Sequence, residues 1–315
     1  MTISQVAVVG AGTIGASWAA LFLAHGLEVT AFDPGPGAEA RLRRQVAAAW
    51  PIATGVAGLR TDGAVAAPAT PAALRFTDRL SDAVAGAQWV QESGPEQERL
   101  KAALFTEIDR YAMPDAVIAS SSSGLILRSI QVHCQRPERC VIGHPFNPPH
   151  LIPLVEVVGS AQTSVAAIDT AMSFYRALGK YPIHVKREVP GHVANRLQAA
   201  LWREAVHLVD CGVASVADVD AALTQGPGLR WAVFGAHMTF HLGGGDGGLR
   251  HFMDHLLGPM HDWWSDLGQP MLTDGLQQRL VEGVQAEAAG RDLQALARQR
   301  DETLVALLAA LHARG

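Results

Sequence analysis

The stretch QVAVVGAGTIGASWAALFLAHGLEVTAFD, residues 5 to 33, narrows the choice of fold more than any other part of this chain. Gln5 to Val9 is a short apolar, β-branched run that reads as a buried parallel strand. Gly10, Gly12 and Gly15 follow in G-x-G-x-x-G spacing and open an Ala-rich segment long enough for a helix. Each glycine has a task. Gly10 permits the tight turn, Gly12 lets backbone approach a pyrophosphate, and Gly15 lets helix and strand pack closely. The helix N-terminus, near Thr13 and Ile14, offers unpaired N–H groups and the positive end of a dipole to an anion. A second strand, Glu28 to Phe32, ends in Asp33, where a carboxylate would accept from a ribose 2′-hydroxyl and repel a 2′-phosphate. Strand, glycines, helix, strand and acid in that order predict a dinucleotide site that takes NAD rather than NADP.

At 315 residues the chain is long enough for two domains with cores of their own. With 49% hydrophobic and 17% charged residues it belongs with globular chains and not with disordered ones. A net charge of −5 gives no electrostatic reason to expect nucleic acid or an anionic membrane as partner. Cys134, Cys140 and Cys211 form no C-x-x-C pair, so buried free thiols in a reducing cytoplasm are expected. Ala16 to Leu23 is apolar, but no basic segment precedes it and the glycine fingerprint runs into it, so it does not read as a secretion signal. No apolar stretch reaches the ~18 residues of a membrane span. The expectation is a cytoplasmic protein that takes a small molecule, with no nucleic-acid or membrane partner.

After the turn Pro34–Gly37, Ala38 to Trp50 reads as an amphipathic helix, while residues 51–73 are weakly patterned and suggest a short helix or an irregular excursion. Leu74 to Phe76, Ala87 to Ser93, Val117 to Ser123, Arg139 to Phe146 and Leu154 to Val158 read as strands. Tyr181 to Val185 reads as a last, antiparallel edge strand. Beyond Pro190-Gly191 the strand pattern stops and long helical segments follow. The predicted class is therefore α/β, a doubly wound Rossmann-type sheet over residues 1–188 followed by an all-α domain over 189–315.

His144 and Glu156 each lie near or within an apolar strand, where a titrating group is costly unless paired. A core histidine held by backbone and a glutamate held by a cation are the common accounts. Pairing them with each other is the other account, and it leaves one imidazole nitrogen free to take a proton. Ser120 to Ser123 form either a polar linker or a loop at the C-terminal end of a parallel strand, where open α/β sheets place ligands. Glu96 and Lys101 open the next helix, as a solvated face or as neighbours of the nicotinamide ribose. His237/His241 and His251/His255 are H-x-x-x-H pairs, but no third ligand stands at suggestive spacing and no metal is expected.

The ordered motifs SSSSGL (120–125), GHPFNPP (143–149), LVEVVG (154–159) and VPGHVANRL (189–197), behind GAGTIG, resemble the 3-hydroxyacyl-CoA dehydrogenase family along nearly the whole chain. The resemblance implies an active site of Ser123, His144, Glu156 and Asn195. It implies nicotinamide-side contacts from Glu96, Lys101 and Asn147. Within the family the chain is most similar to the branch that oxidises free 3-hydroxy acids, which implies L-carnitine ahead of L-gulonate or a 3-hydroxyacyl-CoA. The lens protein lambda-crystallin belongs to the same branch, so a purely structural role is the non-enzymatic alternative. Residues 34 to 80 contain no lysine, which argues against a CoA tail there. For such a substrate, Arg230 is the candidate for the carboxylate. Trp231 leads the aromatic candidates for a quaternary ammonium, with Phe146, Trp202, Phe234 and Phe240 also available and Glu204 as a distant counter-charge. The apolar C-terminal helices lead to the expectation of a homodimer.

Overall fold

The computed structural model describes residues 3–60 and 68–313. Eight strands form one sheet: β1 (Gln5–Val9), β2 (Glu28–Phe32), β3 (Arg75–Thr77), β4 (Trp89–Glu92), β5 (Val117–Ser120), β6 (Cys140–Pro145), β7 (Leu154–Val158) and β8 (Tyr181–Val185). Their order across the sheet is β3-β2-β1-β4-β5-β6-β7-β8. The first six run parallel, and β7 pairs antiparallel with β6. The edge strand β8 lies parallel to β7, so both run against the rest. Helices α1 (Thr13–Ala24), α2 (Ala38–Arg60), α3 (Leu80–Val84), α4 (Glu98–Tyr111), α5 (Leu127–Ile130) and α6 (Val165–Ala177) flank the sheet.

The two-residue period of a strand sends alternate side chains to opposite faces, and both faces are filled. Val6 and Val8 join Trp18, Phe22, Trp89, Phe174 and Tyr175 in one cluster. Ala7 and Val9 join Val90, Phe105, Ile108, Ile118 and Ile142 in the other. Helix α1 is apolar all round and buried from Gly15 to Ala24, as befits a helix covered by α2 as well as by the sheet.

Helix α2 departs from the sequence expectation. It does not stop at Trp50 but runs through Pro51 to Arg60. Leu42, Val46, Ala53 and Ala57 keep the helical spacing across the proline, and all four are buried. The Thr54 hydroxyl donates to Trp50 O at 2.9 Å within the interrupted turn. Apolar burial outweighs the proline penalty here. The rest of the weakly patterned stretch includes residues 61–67, which lie outside the described residues.

The chain divides into two compact units, one of residues 1–195 with 304–315 and one of residues 196–303. The second is entirely helical: most of α7 (Ala194–Asp210), then α8 (Val216–Gln225), α9 (Pro227–Trp231), α10 (Ala236–Gly243), α11 (Gly248–Asp266) and α12 (Asp274–Ala288). Helix α13 (Leu293–His312) follows. Helix α8 opens on a capping box, Ser215 with Asp218. Ala289 and Gly290, both at positive φ, break α12 from α13. No helix among the described residues is long and apolar enough to cross a membrane.

Candidate active site

The turn after β1 fits a pyrophosphate. Gly10 stands at φ 98, and a side chain there would press on the Ser93 backbone at 2.7 Å. A Cβ on Gly15 would collide with Gly10 O, whereas one on Gly12 would meet nothing within 4 Å, so backbone at Gly12 stays open to a ligand. Gly12 caps α1 without a side-chain bond, leaving the first-turn N–H groups of Thr13, Ile14 and Gly15 outward. Asp33 at the end of β2 accepts from Ala11 N and Gly35 N, both at 2.8 Å. These bonds fix the carboxylate beside the glycine turn. A cavity of about 740 Å³ runs along it, lined among others by Gly10, Gly12, Asp33, Gly94 and Leu104. Glycine turn, helix terminus, aimed carboxylate and cavity together suit an adenine dinucleotide.

Farther across the sheet, at the same C-terminal ends of the parallel strands, antiparallel register assembles the acid–base pair. His144 on β6 stands directly opposite Glu156 on β7. His144 Nδ1 donates to Glu156 Oε2 at 2.8 Å, and both side chains are buried. Because a carboxylate only accepts, Nδ1 carries hydrogen in the neutral ring and Nε2 carries the lone pair. Glu156 Oε1 accepts from Val193 N at 2.8 Å and Ala194 N at 3.0 Å. Burial pushes the Glu156 carboxyl up, but the His144 hydrogen bond, the two N–H donors and the His144 charge together hold it below the usual carboxylate range. The Phe146 ring stands edge-on to His144 at 5.5 Å. Close packing beneath the pair explains Gly143, where a side chain would run into the Tyr175 hydroxyl.

The serine loop after β5 completes the site. Ser123 is exposed; its N–H donates to Glu96 Oε1 at 2.9 Å and its carbonyl accepts from Asn195 Nδ2 at 3.0 Å. Glu96 Oε1 also accepts from the Ser122 hydroxyl at 2.6 Å and from Gly124 N at 2.9 Å. Burial raises the Glu96 carboxyl, and these donors with the nearby Lys101 charge outweigh that and lower it. Lys101 has a different place from the solvated helix face that its spacing also allowed. It is 1% exposed, and its Nζ donates to Glu92 Oε1 at 2.8 Å and to Gly94 O at 3.1 Å, with Glu96 Oε2 at 3.6 Å. Lys101 therefore reaches the site through Glu96 and Glu92. Glu92 had no signal of its own in the sequence; it is fully buried at the end of β4 and accepts from the Ser120 hydroxyl at 2.5 Å.

The structure thus brings Ser123, His144, Glu156, Asn195, Phe146 and Glu96 together through side-chain, ring and backbone contacts. Asn147 is exposed in the loop that follows β6. Arg230 and Trp231 end helix α9 in the helical unit, where Trp231 is 39% exposed. His192 went unnoticed in the sequence inside VPGHVANRL. It is buried with its ring 5.3 Å from that of His144. The only available signal was a titratable residue directly after Pro-Gly.

Fold and site define an NAD-dependent oxidoreductase with a histidine–carboxylate pair. The family model for the 3-hydroxyacyl-CoA dehydrogenase NAD binding domain matches residues 5–189, and that for the C-terminal domain matches residues 191–280. The chain belongs to the 3-hydroxyacyl-CoA dehydrogenase family. It is 47% identical over 311 residues to an L-carnitine dehydrogenase of Burkholderia mallei, covering 99% of this chain and 95% of that one. An L-carnitine dehydrogenase of Streptomyces coelicolor is 48% identical over 308 residues, covering 98% and 95%. Among solved structures, 5-formyl-3-hydroxy-2-methylpyridine 4-carboxylic acid 5-dehydrogenase, an NAD+-dependent dismutase, superposes with a TM-score of 0.83 at 30% identity over 98% of this chain and 99% of that one. The (S)-3-hydroxybutyryl-CoA dehydrogenase of Ralstonia eutropha gives 0.61 at 27% identity over 70% and 77%.

Proposed function

We propose that this chain oxidises the 3-hydroxyl of L-carnitine to the ketone of 3-dehydrocarnitine, with His144 as the base. The near full-length similarity to proteins named L-carnitine dehydrogenase supports the substrate. The 2.8 Å bond from His144 to the buried Glu156 carries the chemistry. It leaves the Nε2 lone pair to take the hydroxyl proton, and Glu156 stabilises the imidazolium that forms. The Ser123 hydroxyl and the second amide N–H of Asn195 steady the substrate oxygen as it becomes a carbonyl. Bound NAD supplies the hydride acceptor. Gly10, Gly12, Thr13, Ile14, Gly15 and Asp33 hold its adenosine and pyrophosphate side, and Glu96, Lys101 and Asn147 serve the nicotinamide side, Lys101 by fixing Glu96. Arg230 is the candidate for the substrate carboxylate, and Trp231 ahead of Phe146 is the aromatic candidate for the trimethylammonium group. The protein is proposed to work in the cytoplasm as a homodimer joined through its helical unit.

NADH formation with L-carnitine, L-gulonate, L-3-hydroxybutyrate and 3-hydroxybutyryl-CoA side by side tests the substrate. A clear preference for L-carnitine is expected. Silence on L-carnitine with turnover of another acid would overturn the substrate and the role of Trp231 while leaving the acid–base pair standing. His144→Ala should lower turnover by about 10²–10⁴-fold; near-normal turnover would remove His144 as base.

A further inference from the structure

Four consecutive residues of one turn close over the acid–base pair. His192 faces Ser122, Val193 N and Ala194 N donate to Glu156, and Asn195 donates to Ser123. To make this turn His192 N donates to Val189 O at 3.0 Å and the residue adopts φ 49, in the left-handed region that side chains other than Asn, Asp and Gly seldom enter. The imidazole is 1% exposed. Its Nε2 lies 3.3 Å from the Ser122 carbonyl, which can only accept, so Nε2 bears the hydrogen and Nδ1 the lone pair. Among the described residues Nδ1 has no hydrogen-bond partner although it is buried. The ring stands 5.3 Å from that of His144 at 48°.

The charges around these two rings are few. Glu156 on β7 gives one oxygen to His144 and the other to the turn, and none to His192. Glu96, ahead of α4, spends Oε1 on the serine loop and has Lys101 at 3.6 Å on the other oxygen. One carboxylate is thus bonded to one imidazole, and the second imidazole has only a carbonyl. A second positive charge would sit against the first in a buried pocket.

We propose that His192 is a positioning residue that forms with His144 a pair able to hold one positive charge, and that by staying neutral it keeps the substrate proton on His144 against Glu156. The proposal rests on His144 as the base. Burial lowers the proton affinity of His192 below the ordinary imidazole range and the His144 charge adds to the fall, while the Ser122 carbonyl and the Glu156 and Glu96 charges pull the other way without cancelling it. The consequence appears in ketone reduction, where His144 must start protonated. A charge on His192 as well would repel the one that His144 takes up, so the arrangement favours a single charge, held where Glu156 meets it.

Nitrogen-15 NMR of the full-length protein reads the pair without turnover, with His192 assigned by the loss of its signals in His192→Asn. His192 is expected as the neutral Nε2–H tautomer near neutral pH, and its titration midpoint should rise in His144→Gln, where the neighbouring charge is gone. The opposite tautomer, or an unmoved midpoint, overturns the proposal. Full turnover by His144→Gln would sink the base assignment itself, while the His192 midpoint in the same variant still reports whether the rings share a charge.

Discussion

The sheet unit and the helical unit differ in where they put their aromatic residues. In the sheet unit Trp18, Phe22, Trp89 and Phe105 are all fully buried, and each face of the sheet has its own apolar cluster. In the helical unit, among the described residues, only Val206 and Leu276 join the buried hydrophobic set. Trp263 is 60% exposed there, and Trp202, Trp264 and Met271 are exposed too. A groove of about 360 Å³ in that unit is lined by Trp202, Val206, Val281 and Val284. Both units are apolar in sequence, yet only one closes a core within a single chain. So much apolar surface on a folded unit calls for a partner, and a second copy supplies it in the proposed homodimer.

The largest expected effect separates the two units outright. Trp89→Ala removes a ring packed 4.4 Å from Phe174 and the indole bond to Gln91 at 3.2 Å. It should cost about 3–5 kcal/mol in urea unfolding. Trp263→Ala should change the stability of the single chain by less than about 0.5 kcal/mol, as an exposed position does, but weaken self-association in sedimentation. A large loss of monomer stability in Trp263→Ala, or unchanged association, would break the comparison.

The same difference explains what could be read from the sequence. The Rossmann class, the glycine turn and Asp33 were legible because they are local: a strand period, a glycine spacing and one acid at a strand end. The His144–Glu156 pairing was half legible, since two titrating groups in apolar strands want a partner, but only the β6–β7 register makes them opposite neighbours. Lys101 and Glu92 were not paired in advance, because their contact depends on how α4 lies against the end of β4. His192 was hidden for a like reason: its left-handed turn and its approach to His144 are tertiary facts. Helix α2 passed Pro51 because burial against α1 overrides a local breaker.

A medium effect comes with acid, and it should act on the sheet unit. The shifted groups His25, Glu96, Glu156 and His192 all lie there. Burial holds His25 below the ordinary value of 6.5, with the Leu21 carbonyl opposing and the Lys180 charge assisting. The unfolded chain therefore binds protons at these histidines before the folded one does. Their contribution is complete above 6.5 and is lost as pH falls below it. Glu96 and Glu156 work in the same direction lower down, since their depressed carboxyls begin to cost stability only below the ordinary 4.5. Urea midpoints across this range should fall in two stages. Hydrogen exchange should place the first stage in the sheet unit, and equal acid sensitivity in both units would contradict it.

The smallest effect is also the most local. Ser164 caps α6 by accepting from Ala167 N at 3.1 Å, and Ser215 caps α8 by accepting from Asp218 N at the same distance. Alanine at either position should cost about 1 kcal/mol, since each loses its cap bond to a first-turn amide, Ser215 losing its hydroxyl bond to Asp218 Oδ2 as well. The cost should nevertheless surface differently. Helix α6 buries Ala167, Ile168, Ala171, Phe174 and Tyr175, so its first turn opens only with much of the sheet unit. Helix α8 buries no residue; its first turn rests only on Gly283 of α12 through the half-buried Val216, and on no buried core. Ser215→Ala should then speed hydrogen exchange about fivefold at the first amides of α8 with little change elsewhere. Ser164→Ala should leave local exchange near α6 almost unchanged and appear in the global unfolding midpoint. If both variants frayed alike, α6 would be no better anchored than α8, and burial would not be what distinguishes the two units.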